Sequence, residues 1–148
     1  TVSLWGEQSL RLPEWLVSRY PCTYQTTHLF DAKLPPNFGL QPLPAGHPSV
    51  LVSVPERALL ELLSDVGKTE SLQDARQIVE SARSLRTSTL ETLLTHTKRI
   101  KVVRLARALA EELDLPWAAL AKTCSEAKGG GSRWIAVSKD GERLDLKP

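Results

Sequence analysis

The chain has 148 residues, of which 41% are apolar and 24% charged, with a formal net charge of +2. This composition suits one domain with a real core; no apolar run approaches the length of a membrane-spanning helix, and the first residues lack the basic start and apolar stretch of a secretory signal. Charge is unevenly placed: residues 1–50 balance three basic against three acidic side chains, residues 51–97 carry five against seven, and residues 98–148 carry eleven against seven.

In chain order, Thr1–Trp5 and Thr23–Leu29 alternate weakly and contain Thr, Tyr and Trp, which predicts two short strands. Leu12-Pro13-Glu14-Trp15-Leu16 between them reads as a brief helical turn or a loop. Lys33–Pro48 holds five prolines and two glycines and reads as an irregular connection. Ser49–Val52 is a short apolar strand. The helices follow. Ser53-Val54-Pro55-Glu56 fits a capping box with proline in the first turn. The helix behind it is expected to bury Ala58, Leu59, Leu62, Leu63 and Val66 and to end at Gly67. Ser71-Leu72-Gln73-Asp74 is a second cap, before a helix with Leu72, Ala75, Ile78, Val79, Ala82 and Leu85 on one face. Ser88-Thr89-Leu90-Glu91 is a third, before Leu90, Leu93 and Leu94. A helix over Lys98–Leu113 follows. Asp114 is then expected to cap a last short helix, Leu115–Lys122.

After Gly129-Gly130-Gly131, the stretches Arg133–Val137 and Arg143–Leu146 flank Lys139-Asp140-Gly141, a turn signal of the hairpin kind. The expected fold class is α+β: a central bundle of about five short helices, short strands in the N-terminal part and a C-terminal β-hairpin. Residues 1–49 are expected to form a strand- and loop-rich portion packed on a helical core over 50–148, the two making one compact domain.

No motif argues for catalysis. His28, His47 and His96 occupy no zinc-ligand or nucleophile-elbow spacing. Cys22 and Cys124 are isolated, with no CxxC, and read as reduced thiols in a cytoplasmic protein, a disulfide between them being the alternative. The triple glycine lacks the lysine of a phosphate loop and precedes a strand. No catalytic residue, metal site or cofactor is expected.

The distinctive feature is Lys98–Leu109, KRIKVVRLARAL, which holds five cations and no acid. On a wheel of about 100° per residue, Val102, Val103, Leu105, Ala106, Leu109, Ala110 and Leu113 share one arc. Lys101, Arg104, Arg107, Glu111 and Glu112 take the other. Cations at a helix start oppose the macrodipole by about 0.3–1 kcal/mol each. Core packing can carry that cost, or phosphates or an acidic protein surface can supply the counter-charge. Arg83, Arg86 and Arg133 extend the candidate surface, giving Arg83, Arg86, Lys98, Arg99, Lys101, Arg104, Arg107 and Arg133 as the nucleic-acid- or partner-binding set.

The order of motifs resembles the antitoxins of the abortive-infection AbiEi family of type IV toxin–antitoxin systems. The resemblance lies in Pro55-Glu56-Arg57-Ala58, Leu85-Arg86, Lys101-Val102-Val103-Arg104-Leu105 and Gly131-Ser132-Arg133, with Leu12-Pro13-Glu14-Trp15-Leu16 matching an earlier family segment. It implies a bacterial antitoxin and transcriptional regulator active in phage defence. Such a protein opposes a nucleotidyltransferase-like toxin without forming a stable complex with it. Members usually bind operator DNA through an N-terminal winged helix-turn-helix that this chain lacks, and the absence of methionine suggests a processed product or a fragment. The resemblance also implies that Arg57 or Arg104 anchors a carboxylate inside the fold. RNA or DNA contact through the basic face, or an acidic protein partner instead, both stay open on these residues.

Overall fold

A computed structural model of the chain describes residues 1–26, 28–129, 134–137 and 141–146. In chain order the elements are β1 (Val2–Trp5), α1 (Glu14–Arg19), β2 (Cys22–Gln25), β3 (Leu40–Pro42), β4 (Leu51–Ser53), α2 (Pro55–Asp65), α3 (Leu72–Ser81), α4 (Thr87–His96), α5 (Ile100–Glu112), α6 (Ala118–Ala127), β5 (Trp134–Val137) and β6 (Arg143–Leu146). The fold is α+β, with a helical centre and its strands in separate two-stranded sheets.

β1 and β2 pair in parallel, Val2 opposite Cys22 and Trp5 opposite Gln25, with α1 in the crossover. The stretch expected as a turn or loop is therefore a short helix. β3 and β4 pair antiparallel, Leu40 opposite Ser53. β3 lies inside the proline-rich connection; its proline sits at the strand's end, where a missing N–H is tolerated. β5 and β6 pair antiparallel, Trp134 opposite Leu146 and Val137 opposite Arg143. Lys139 and Asp140 of the expected turn lie outside the described residues.

Two of the three capping boxes are not formed as expected. Ser71 does cap α3, its Oγ accepting from the Asp74 N–H at 3.0 Å. At α2 the cap is Val54, without a side-chain bond. Ser53 stays in β4 and donates to Glu61 Oε2 at 2.7 Å, while Glu56 is drawn to Arg86. α4 begins at Thr87, so Ser88 falls inside the helix rather than before it. The last helix also begins later: Asp114 takes φ 50° in the turn, and Trp117 stands at the cap position.

The core gathers around α5, which touches α2, α3, α6, β5 and β6. Val103, Leu105, Ala106, Leu109 and Ala110 are fully buried, as are Leu60, Leu72, Leu90, Leu93, Leu94 and Leu146. Each of the leucines and the valine contributes about 1.5–3 kcal/mol through removal from water. α2 buries Leu59 and Leu63, with Val66 at its end, as expected, and Leu60 besides, whereas Ala58 is exposed and Leu62 half-buried. Gly67 ends α2 at φ 86°, and a Cβ there would stand 2.9 Å from the Val137 carbonyl oxygen, so the end of α2 and β5 lie in close approach.

Candidate functional site

α5 is not the half-exposed amphipathic helix that its periodicity suggests. With α2, α3, α6, β5 and β6 all packed on it, only Glu111 and Glu112 are exposed within it. This changes the standing of its cations, which the polar arc had placed outside.

Arg104, at the centre of that arc, is 1% exposed. One of its Nη atoms lies 3.4 Å from the Gly129 carbonyl just beyond α6. Lys101 is half-buried, with Nζ 3.4 Å from the Val66 carbonyl at the end of α2. Both cations thus sit against the carbonyl-rich C-terminal ends of neighbouring helices, where positive charge is favoured. Arg107 is mostly covered and pairs with Glu111 at 3.0 Å, with Glu126 at 3.9 Å. The apparent misplacement of charge along α5 is resolved largely by tertiary neighbours rather than by a ligand. Arg104 is accordingly removed from the outward-facing set, and Lys101 and Arg107 belong mainly to the fold.

Lys98 and Arg99 are different. The chain reaches them through a clamp in which Asp31 N–H donates to the His96 carbonyl at 2.8 Å and Lys98 N–H to the Leu29 carbonyl at 2.9 Å. Thr97, buried at 1%, donates its hydroxyl to the Leu93 carbonyl at 2.7 Å. The clamp turns Lys98 outward and leaves Arg99 half-exposed at the cap position of α5, which has no acid in its first turn. Among the described residues neither has a carboxylate within ion-pair distance. Lys128 lies nearby, donating Nζ to the Thr95 carbonyl at 2.8 Å; partial burial pushes its pKa down.

Arg83 and Arg86 flank the other end of α4. Arg83 is exposed and donates to the Asp114 carbonyl at 3.2 Å. Arg86 grips Glu56 through Nη2 at 3.0 Å, Nε at 3.2 Å and its own N–H at 2.8 Å. The Glu56 carboxylate is 3% exposed, yet the Arg86 side chain is 61% exposed. Burial raises the Glu56 pKa, and the hydrogen bonds from Arg86 outweigh it, so the group ends below its ordinary value. About ten residues of helix, roughly 15 Å, separate Arg83 and Arg86 from Lys98 and Arg99. The cations form two small groups rather than one band. Arg133 lies outside the described residues.

Arg57 does hold a carboxylate inside the fold: Nε donates to Glu61 Oε1 at 2.9 Å and Nη1 to the Phe38 carbonyl at 2.8 Å, with the Phe30 ring 5.0 Å from the guanidinium carbon. Two linking residues had no local signal. Arg76 bridges Glu112 at 2.7 Å and Glu142 at 2.8 Å. Trp117, 1% exposed, donates Nε1–H to the Ala82 carbonyl at 2.7 Å. Both join segments more than thirty residues apart, beyond the reach of any periodicity.

Both cysteines are free thiols. Among the described residues no cluster of His, Cys, Asp and Glu could hold a metal, and no helix is long and apolar enough to cross a membrane. One family's sequence model, described as transcriptional regulator, AbiEi antitoxin, type IV toxin–antitoxin system, matches residues 1–146. No curated protein and no solved structure matches the chain.

Proposed function

The chain belongs to the AbiEi antitoxin family of type IV toxin–antitoxin systems, a family of transcriptional regulators, and from that premise we propose that it is the antitoxin domain of such a regulator, opposing a nucleotidyltransferase-like toxin in the cytoplasm. The family is regulatory, and no reaction is assigned to the chain. Its basic groups contact nucleic acid, RNA or DNA, through phosphates. The observation that carries this surface reading is the pair Lys98 and Arg99, presented at the start of α5 without an acid in the first turn. Phosphate contacts of this kind position a nucleic acid without reading its bases.

A second reading is favoured by a separate observation. A groove of about 430 Å³ between α2 and α3 is lined by Pro55, Ala58, Leu62, Ile78 and Leu85, with no charged residue in its lining. Arg83 and Arg86 flank it in sequence. An acidic protein partner would find apolar and cationic groups together there.

Co-expression with the neighbouring toxin gene tests the antitoxin role: growth is rescued if it is right, and persistent toxicity with soluble antitoxin present refutes it. Salt-titrated binding to duplex DNA and to RNA tests the surface. Affinity that falls steeply with salt supports phosphate contact; no binding at low salt removes the nucleic-acid reading and leaves the acidic partner.

A further inference from the structure

Between β2 and β3 the chain crosses the end of α4 as a strap over residues 29–34. Two backbone bonds fix the crossing, from the Asp31 N–H to the His96 carbonyl and from the Lys98 N–H to the Leu29 carbonyl, with Phe30 bridged antiparallel to Thr97 between them. A bridge of one residue pair is weak by itself. Side chains close the same crossing. Asp31 Oδ1 lies 2.9 Å from His96 Nδ1 and also accepts from the Lys33 N–H at 2.9 Å and the Leu34 N–H at 3.2 Å. One carboxylate oxygen therefore both shapes the strap and ties it to the helix.

The pair is placed to respond to pH. His96 is the last residue of α4, where unpaired carbonyls favour a positive charge. A neutral imidazole can donate its Nδ1–H to Asp31; a protonated one keeps that bond and adds an ion pair. Histidine is the side chain whose charge ordinarily changes between about pH 5 and 8. Asp31 does not change there. Partial burial raises its pKa, but hydrogen bonds from His96 and the Lys33 N–H outweigh this and leave it below its ordinary value of 3.8. The stability it contributes is complete above that value and is lost only as pH falls through the folded one. The other charged groups at the crossing are Lys33 in the strap, Lys98 just beyond it and Lys128 at the end of α6. Lys128 holds the Thr95 carbonyl at 2.8 Å and also feels the Asp31 charge. Cys124 of α6 interacts in turn with Lys128 and with Glu91 of α4.

We propose that Asp31 and His96 form a pH-sensitive latch that holds the strap, and with it the start of α5, to the end of α4, and that protonation of the imidazole tightens it. The cations that this latch delivers are Lys98 and Arg99. Its bearing on their binding rests on the phosphate reading above; the latch itself does not.

Hydrogen exchange of single amides in the 148-residue chain, corrected for the intrinsic rate at each pH, tests the latch. The Asp31 and Lys98 amides report on it because their bonds cross it; the buried Leu105 and Leu109 serve as reference. Protection at Asp31 and Lys98 should fall about two- to fivefold from about pH 5 to pH 8, the scale of a partly exposed ion pair, and the core amides should not follow. His96→Gln keeps a donor that cannot titrate, and Asp31→Asn keeps the shape without the charge. Each should abolish the step with an unchanged circular dichroism spectrum, since Leu29 still anchors the strap in the core. Lys128→Gln should retain the step. Flat protection in the parent overturns the proposal, as does a fall shared equally by Leu105 and Leu109. So does a step that survives His96→Gln or disappears in Lys128→Gln. A latch that behaves as expected in a chain that binds no nucleic acid leaves the latch standing and removes only its bearing on Lys98 and Arg99.

Discussion

Arg86 is exposed and committed at once. Its guanidinium reaches solvent, but it also neutralises a carboxylate that has almost no other access to water. Arg86→Ala is expected to lower stability at neutral pH, since a nearly buried carboxylate loses its guanidinium partner and keeps only the backbone N–H. Urea midpoints of the two proteins measure this. The pH dependence has a definite sign. The Glu56 pKa in the fold lies below its ordinary value of 4.5. The stability it contributes is therefore complete above that ordinary value and is lost as pH falls through the folded one. In Arg86→Ala the carboxyl loses the bonds that hold its pKa down, so the gap between variant and parent should narrow as pH drops below about 5. A gap that is constant from neutral pH to acid contradicts this. At this scale Arg57 was legible: its expected carboxylate is Glu61, one helical turn away. The fate of Arg86 was not, because Glu56 lies thirty residues upstream and already had a plausible local task as a cap residue.

Among elements, the capping signals separate local from tertiary control. Ser71→Ala should cost about 1 kcal/mol, because Ser71 bonds the Asp74 N–H at the helix start. Ser88 carries the same sequence signal, but it stands within α4, and Ser88→Ala should change stability by less than about 0.5 kcal/mol. Equal losses in thermal unfolding would show that the frame of α4 differs from the one described. The leucine pattern of α4 was readable because the helix buries one face, with Leu90, Leu93 and Leu94 all buried; that of α3 was readable in part, since Leu72, Ala75 and Val79 are buried but Ile78, expected on the same face, is 50% exposed. α5 was misread for the opposite reason. Its polar arc is real in sequence, but groups distant in sequence, the Val66 and Gly129 carbonyls and Glu126 among them, close on its cations. A wheel shows chemistry around an axis and says nothing of how many neighbours surround it. Gly67→Ala probes the same closure, since φ 86° and the nearby Val137 carbonyl both oppose a Cβ. It should destabilise the protein by about 1–2 kcal/mol.

For the whole molecule, the charge asymmetry between the middle and the last third of the chain was visible in composition. What that charge does depends on contacts that composition does not encode. Lys101 and Arg104 rest against carbonyls at the ends of α2 and α6, and Arg107 against acids, so cations that look alike in sequence divide into structural and outward groups. This division makes a double dissociation testable in one set of measurements. Lys98→Ala removes an exposed charge and should leave the melting temperature unchanged. If the surface meets phosphates, that substitution should lower nucleic-acid affinity and reduce the slope of log affinity against log salt by about one. Arg104→Ala removes a guanidinium from the interior and should cost about 3 kcal/mol of stability. Measured below its own unfolding transition, it should leave the salt slope as it was, because a side chain 1% exposed neutralises no phosphate and so displaces no counterion. The reverse outcome, Arg104 governing the slope and Lys98 the stability, would mean that the bound form of the domain opens the C-terminal strands away from α5.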